Sequence, residues 1–535
     1  MSPADVPAFS PASRVSRVGL AVASGLLTAA AFPPWDLGWI AFIGWVPLLY
    51  CVGNGRCAEA ARLGFVAGLA FYLATIWWVI NTMTTYGRMP LGLSLVALLL
   101  LSSVLAGYVA VFAWLLALAR GRLPLPGWLM PAIATILWTG LEFARTYLFS
   151  GFPWALLGYT QYRQPTIRLL AAAFGVYGVS ALVILVNATI ANALRGALAR
   201  REAGSGWRRD ARIAVGIAGV AVLATVGYAR EIWENPTDGP AFRVGLLQGN
   251  IDQAVKWDRR FQATTLETYE RLAGEVAAQR PALIVWPETA VPFFLRREPE
   301  LASRVARIVA ETGVPMLIGS PDLAEDGRLY NTAFLVGTDS RILGRYDKRH
   351  LVPFGEYVPL QRVFFFLDKL VTGIGDFGRG RRATVFEGAG PWFSVMICYE
   401  VIFPGEVREF VRGGARYLVN ITNDAWFGRS GAPYQHLAMA AMRAVENGSY
   451  LVRAANTGIS AVIAPTGEIL AQTDLFVEAT LVGTLRSRQG ETPYTRYGDI
   501  LAWMCLLFSI VYVVALVWSA RRGGPRAAAG RKKEA

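Results

Sequence analysis

Three apolar runs in this chain each stop at a side chain able to do chemistry. ALIVW (282–286) leads into Pro287 and Glu288, RILGRY (341–346) into Asp347 and Lys348, and FSVMI (393–397) directly into Cys398. A thiol with its ordinary pKa of about 8.5 is only a few per cent thiolate at neutral pH, so as a nucleophile it needs a base or a nearby cation. Glu288 offers the first and Lys348 the second. When the thiolate attacks an ester or amide carbonyl, charge develops on the oxygen, and a fixed ammonium in a dry pocket stabilises it by several kcal/mol, order of magnitude. The three types together therefore predict acyl transfer through a thioester. Taken singly, each has a plainer reading: Glu288 caps a turn, Lys348 is a solvated loop charge, Cys398 is core. Cys51, Cys57 and Cys505 all lie in or beside apolar segments, so Cys398 is the polar half's only thiol and has no disulfide partner there. Of the two histidines, His350 and His436, neither follows a strand in the way that would require it, and the glutamate is the preferred base. With no histidine clustered with cysteines, neither a metal nor a cofactor is predicted.

Positioning three residues so far apart takes a layered α/β scaffold. From about 241 to 486, charged residues return and short β-rich runs alternate with helical ones. Strands are predicted at 242–247, 282–286, 315–318, 331–336, 342–347, 393–397, 417–421, 451–455 and 460–464, and helices at 261–279, 300–312, 404–412 and 434–448. In such domains the carboxyl ends of neighbouring strands share a rim where ligands bind, which is where the three residues would meet.

The remainder is hydrophobic. The 535 residues are 54% hydrophobic and only 17% charged, too apolar for an ordinary soluble enzyme. Apolar segments near 18–33, 37–53, 61–80, 91–119, 127–148, 167–194 and 211–229 predict an N-terminal membrane domain (1–235) of about seven spans, the first a retained anchor and the first two short enough for a hairpin or a re-entrant turn. A last span falls within 497–520, followed by a basic tail, 521–535. The net charge of +14 sits as arginines between spans and not as a basic stripe with interleaved aromatics, so nucleic acid is excluded as a partner. Arg14 and Arg17, Arg56 and Arg62, Arg120 and Arg122, and the run from Arg195 to Arg212 mark alternate connections as cytoplasmic. Both termini are then cytoplasmic, with 241–486 outside. Glu142 and Arg145, near the outer end of the fifth segment, read as an internal ion pair or as part of a docking surface.

WPETAVP (286–292), YDKRHLVPFGEYVPL (346–360) and MICYE (396–400) resemble the Glu-Lys-Cys signatures of the carbon-nitrogen hydrolase (nitrilase) superfamily. LLQGN (246–250) through Lys256 and Trp257, NDAWFG (423–428), the FPPW turn (32–35) and spans on both sides resemble its membrane-embedded apolipoprotein N-acyltransferase branch. The resemblance implies an αββα sandwich, with Glu288 as general base, Lys348 as oxyanion stabiliser, Cys398 as nucleophile and Glu356 as a second catalytic carboxylate. It implies that Tyr399 and Glu400 shape the pocket behind the nucleophile and that Trp257, Trp426 and Phe427 contact substrate. A glycerophospholipid would be the acyl donor and an S-diacylglyceryl-cysteine lipoprotein the acceptor, at the outer face of a bacterial inner membrane. Outside the cytoplasm there is no ready pool of acyl-CoA or ATP, so an already activated phospholipid ester suits the location. A membrane-anchored amidase releasing the acyl group to water is the alternative. Val363–Phe366 reads as a mobile, membrane-facing lid.

Overall fold

Apolar stretches of helical length become helices throughout the N-terminal region, because a helix satisfies every backbone donor and acceptor within itself. The computed structural model describes residues 14–53, 56–122, 125–198, 206–234, 239–357, 377–487 and 490–522. The N-terminal helices are α1 (Arg14–Ala30), α2 (Cys57–Thr75), α3 (Leu91–Arg122), α4 (Met130–Tyr147), α5 (Ala171–Leu198) and α6 (Gly206–Glu234). A final helix, Ile500–Arg522, follows the α/β region. Among the described residues, four helices are long and apolar enough to cross a membrane: Cys57–Thr75, Leu91–Arg122, Ala171–Ala197 and Arg209–Tyr228.

Three segments depart from unbroken helix, one of them α5, which kinks at Gly175 (φ +67). Residues 38–51 divide into a 3-10 turn (Gly38–Ile40) and two short helices (Ala41–Gly44 and Val46–Cys51), and the freed Trp45 N–H donates to Asn187 Oδ1 at 2.9 Å. The third apolar segment, read as continuing to residue 80, ends as a helix at Thr75. Beyond it the chain turns, so that Thr82 Oγ1 and Asn81 Nδ2 donate to the Trp426 carbonyl at 2.9 and 3.4 Å.

In the α/β region the strands are β1 (Ala241–Gln248), β2 (Leu283–Val285), β3 (Met316–Leu323), β4 (Leu329–Val336), β5 (Ile342–Asp347), β6 (Phe393–Ile397), β7 (Tyr417–Thr422), β8 (Leu451–Ala455), β9 (Ala461–Ile463), β10 (Ile469–Gln472) and β11 (Ala479–Arg486). They form two sheets, ordered β11-β1-β2-β3-β4-β5 and β10-β9-β8-β7-β6. β1 meets β8 and β4 meets β6 across the interface. α7 (Gln262–Ala277) and α8 (Pro299–Thr312) belong with the first sheet, and α9 (Pro404–Arg412) and α10 (Ala432–Asn447) with the second, giving the αββα sandwich. Strand alternation sorts the two cores. Leu283 and Val285 point between the sheets, while Ile284 and Trp286 join Tyr269 of α7 in a separate cluster beneath the helices. The inter-sheet core is continuous with that of the N-terminal helices. β10 and β11 are the two strands that apolar patterning misses.

Candidate active site

β2 and β5 run in the same direction, since β2 is parallel to β3 and two antiparallel steps follow. Their carboxyl ends therefore share one rim. Glu288 lies three residues past β2, Lys348 directly past β5 and Cys398 directly past β6. Lys348 Nζ is 2.9 Å from Glu356 Oε1 and 3.6 Å from Glu288 Oε1, with the lysine side chain 1% exposed. Asn331, the third residue of β4, links the carboxylates: its Nδ2 donates to Glu288 Oε1 at 2.8 Å and to Glu356 Oε1 at 3.1 Å. Glu288 Oε2 accepts the Asn423 N–H at 2.9 Å, and Glu356 Oε2 the Val352 N–H at 2.8 Å. Gly319 on β3 is required by proximity: a Cβ there would lie 2.3 Å from the Pro287 carbonyl oxygen and 2.6 Å from the Thr289 nitrogen.

Cys398 is buried and has φ +52, a left-handed conformation costing a non-glycine residue about 1–3 kcal/mol. The sharp turn takes the thiol out of strand register at the start of a 3-10 turn, Cys398–Ile402. Burial, then the Glu288 carboxylate, push the thiol above its usual range, with the Lys348 ammonium opposing. Burial alone would lower Lys348, but Glu356, Glu288 and Cys398 outweigh it and hold the ammonium above its ordinary value. The resting site is thus a neutral thiol facing a base and a fixed cation. Among the described residues, no group of three or more His, Cys, Asp or Glu is placed to hold a metal ion.

A second charge cluster holds the nucleophile's backbone. His436 Nε2 lies 3.2 Å from the Cys398 carbonyl oxygen, and its Nδ1 lies 2.9 Å from Arg453 NH2 and 3.1 Å from Asp424 Oδ1. Arg453 NH2 reaches Asp424 Oδ2 at 2.6 Å, and Asn420 takes a further Arg453 bond. Against the cost of burial, Arg453 above all holds Asp424 below the usual carboxylate range, whereas burial and Arg453 push His436 down. In the sequence Asn423 and Asp424 follow β7 and stand out only as part of NDAWFG, His436 is set aside as a base, and nothing marks Asn331, Asn420 or Arg453 as part of the site.

The remaining predicted positions separate by environment. Glu400, 1% exposed, accepts from Tyr346 OH (2.8 Å), the N–H groups of Arg349 (2.6 Å) and His350 (3.1 Å) at Oε1, and from Ile397 N–H (2.7 Å) at Oε2. It ties the Lys348 segment to the Cys398 segment. Burial, and then Glu406, raise its carboxyl to about 7. Tyr399 is buried against Phe403, with ring centroids 5.3 Å apart. Trp257 is half-buried. Trp426 packs edge-on to Tyr86 at 5.1 Å, and Phe427 packs on Trp78 (4.9 Å) and Trp154 (5.8 Å), so both lie where the sandwich meets the N-terminal helices. Gly428 between them and α10 has φ +58 and leaves no room for a Cβ, which would lie 2.6 Å from Asn81 Nδ2. Glu142 and Arg145 are buried side by side, and each also bonds the backbone of the following loop. Glu142 Oε1 accepts from Leu157 N–H at 2.8 Å, and Arg145 donates to the carbonyls of Phe152 (3.1 Å) and Trp154 (2.7 Å), pinning the loop that carries Trp154. The lid expected at Val363–Phe366 lies outside the described residues.

The carbon-nitrogen hydrolase family model matches residues 243–494, and that of the apolipoprotein N-acyltransferase N-terminal domain matches 24–189. The chain is 44% identical to the apolipoprotein N-acyltransferase of Geobacter metallireducens over 503 residues, 93% of this chain and 95% of the relative. It is 36% identical to that of Methylococcus capsulatus over 524 residues, 96% and 98% of the two chains. Among solved structures it is similar to Nit3 of Saccharomyces cerevisiae, a nitrilase-superfamily member, at 18% identity and a TM-score of 0.37, covering 47% of this chain and 91% of that one.

Proposed function

Because this chain belongs to the apolipoprotein N-acyltransferase family, we propose that Cys398 is the nucleophile that carries the acyl group, with Glu288 as its base, Lys348 as the oxyanion's cation and Glu356 as the carboxylate that holds Lys348. The enzyme is an N-acyltransferase of lipoproteins; what is proposed here is the donor, the intermediate and the residues. Glu288 takes the Cys398 proton as the sulfur attacks the ester carbonyl of a glycerophospholipid, and Lys348 meets the negative charge on the carbonyl oxygen. The C–O bond breaks and the alcohol leaves with the Glu288 proton as a lysophospholipid, leaving a thioester on Cys398. The free amine of an S-diacylglyceryl-cysteine then attacks, Glu288 accepts its proton, and the C–S bond breaks to return the thiol. Trp257, Tyr399, Trp426 and Phe427 border the acyl path in this reading, and Glu400 keeps the two halves of the site in register.

The observation that carries the proposal is the meeting of Lys348 with both carboxylates at the rim that Cys398 also reaches. Its placement favours lipid substrates. The turn after Cys398 abuts the N-terminal helices, with Tyr159 OH 3.5 Å from the Ile402 carbonyl oxygen, and α10 is seated on them through Gln435 and Glu446. Trp35, Trp39 and Trp77 are exposed near this junction, as aromatics are at a membrane–water interface. With the arginine bias of the loops, this supports residues 1–235 and 497–520 as the membrane domain of an inner-membrane protein and 241–486 as its periplasmic catalytic domain, with 521–535 as a cytoplasmic tail. The test is to incubate the protein with a phospholipid bearing a labelled acyl chain, look for an adduct on Cys398 by mass spectrometry, and then add a diacylglyceryl peptide. Transfer of the label to the peptide amine is expected. Release to water alone supports the amidase, and absence of an adduct overturns both.

A further inference from the structure

Lys256 stands beside this cluster without a task in the chemistry above. Its side chain is 1% exposed, and its Nζ donates to the Glu288 backbone carbonyl at 3.1 Å. An ammonium has three donors, so one acceptor leaves it far from saturated in a place where burying a charge is expensive. The loop that carries it is held firmly. Ile251 N–H donates to Asn456 Oδ1 (2.9 Å), Asn456 Nδ2 donates to the Ile251 carbonyl (2.7 Å), and Asn423 Nδ2 donates to Gln253 Oε1 (2.6 Å). Asn423 is the same residue whose N–H holds Glu288 Oε2. The loop, the base and the half-buried Trp257 thus form one unit joined through Lys256.

The charges give this contact a purpose. Glu288 and Glu356 both face Lys348. Two carboxylates against one ammonium leave the pocket with an excess negative charge, which opposes forming a thiolate or an oxyanion there. We infer that Lys256 is a positioning residue for the acylation step, holding the backbone of the base and supplying the balancing charge, so that Glu288 can exchange a proton with Cys398 while Glu356 stays on Lys348. The inference deepens the assignment of Glu288 as base and rests on it.

Burial lowers the Lys256 ammonium to about 8, with Glu288 opposing, so the balancing charge is present at neutral pH and lost just above it. The other groups facing this corner are Glu288, Glu356, Lys348 and Cys398 at the rim, Asp424 behind the thiol, and Asp252 with Tyr86 at the loop's outer side. Lys348 and Cys398 are both held above their ordinary values, which leaves Lys256 to set the alkaline limb of the rate.

The test uses the full-length protein and vesicles of a glycerophospholipid with a labelled acyl chain, reading the rate of thioester formation on Cys398 across about pH 5–10. For Lys256→Met the rate at neutral pH falls about tenfold and the acid limb moves up by about one pH unit. Lys256→Arg keeps the charge, and its alkaline limb leaves the region of pH 8. The inference is overturned if both limbs of K256M coincide with the wild type, even at a reduced rate, or if K256R still loses activity near pH 8. Should K256M not fold, the K256R limb decides alone. Glu288→Gln is run beside them: if it forms the thioester at the wild-type rate, the base assignment is what has failed, whatever the Lys256 variants do.

Discussion

Two buried charge clusters meet at Cys398, one at its thiol and one at its carbonyl. In the carbonyl-side cluster of Asp424, His436 and Arg453, the side chains are at most 1% exposed, and both Asp424 oxygens have donors: Thr422 Oγ1 at 2.9 Å on one, Arg453 at 2.6 Å on the other. In the thiol-side cluster the oxygens of Glu288 and Glu356 have donors too, but one lysine is divided between the two carboxylates, Asn331 Oδ1 has no hydrogen-bond partner among the described residues, and Glu356 retains 11% exposure. A saturated buried network fixes geometry, because every change of charge in it leaves something unpaired. An unsaturated one can pass a proton. The same ingredients thus build a support on one side of the nucleophile and a reactive site on the other.

Breaking the reactive side should cost rate first. Glu288→Gln, which keeps the side chain's shape, is expected to slow thioester formation about 10³-fold with the melting temperature changed little, and Lys348→Met to slow it as far while also losing stability, because Glu288 and Glu356 are left without their cation. Intact-mass kinetics and thermal unfolding on the same samples check both halves. Breaking the support should do the reverse: Arg453→Met strands a buried carboxylate and is expected to lose about 3–5 kcal/mol of stability. Denaturant unfolding of the solubilised protein measures that, and an R453M variant as stable as the wild type would erase the distinction.

The two sides also differ in how plainly they are written along the chain. Glu288, Lys348 and Cys398 are legible because each is a polar or reactive residue placed just past a strand, a fully buried one for Glu288 and Cys398 and the partly buried β5 for Lys348. His436 lies inside a helix whose sixteen residues read as ordinary helical pattern, and nothing local says that its ring looks toward a strand exit. Asn331 was read as the first residue of a strand, with no sign that its amide joins two carboxylates. β10 and β11 escaped because their side chains are mostly half-exposed and carry no sustained apolar run. The motif singles out Phe427, but that its ring packs on Trp78 and Trp154, hundreds of residues earlier, is not written near it. Strand exits are local information; the partners that saturate a buried charge are not.

A smaller effect is expected where β3 passes under the loop that leaves β2. Gly319→Ala would force backbone at Pro287 and Thr289 to move, because those atoms would lie well inside contact distance of the new methyl. The expected cost is about 1–3 kcal/mol of stability, as for overpacking elsewhere. A loss of rate larger than the stability change explains should accompany it, since Glu288 sits between the two displaced residues. A variant with normal kinetics would show that the base tolerates displacement.

The smallest change sharpens the comparison most, because His436 is where the clusters join. Its ring is held neutral by burial and Arg453, and the Cys398 carbonyl at 3.2 Å calls for the proton on Nε2, leaving Nδ1 to accept from Arg453. His436→Leu removes the donor that helps fix the left-handed turn at Cys398, while Asn420 Nδ2 at 3.5 Å remains on the same carbonyl. Losing one such bond is expected to cost about 1–2 kcal/mol, read as a roughly tenfold slower thioester step together with a modest fall in melting temperature. His436→Gln can return an amide donor to the carbonyl and should recover most of the rate. If the leucine variant loses stability but keeps its rate, the carbonyl-side cluster supports the fold alone, and the strained turn at Cys398 is maintained by its own strand.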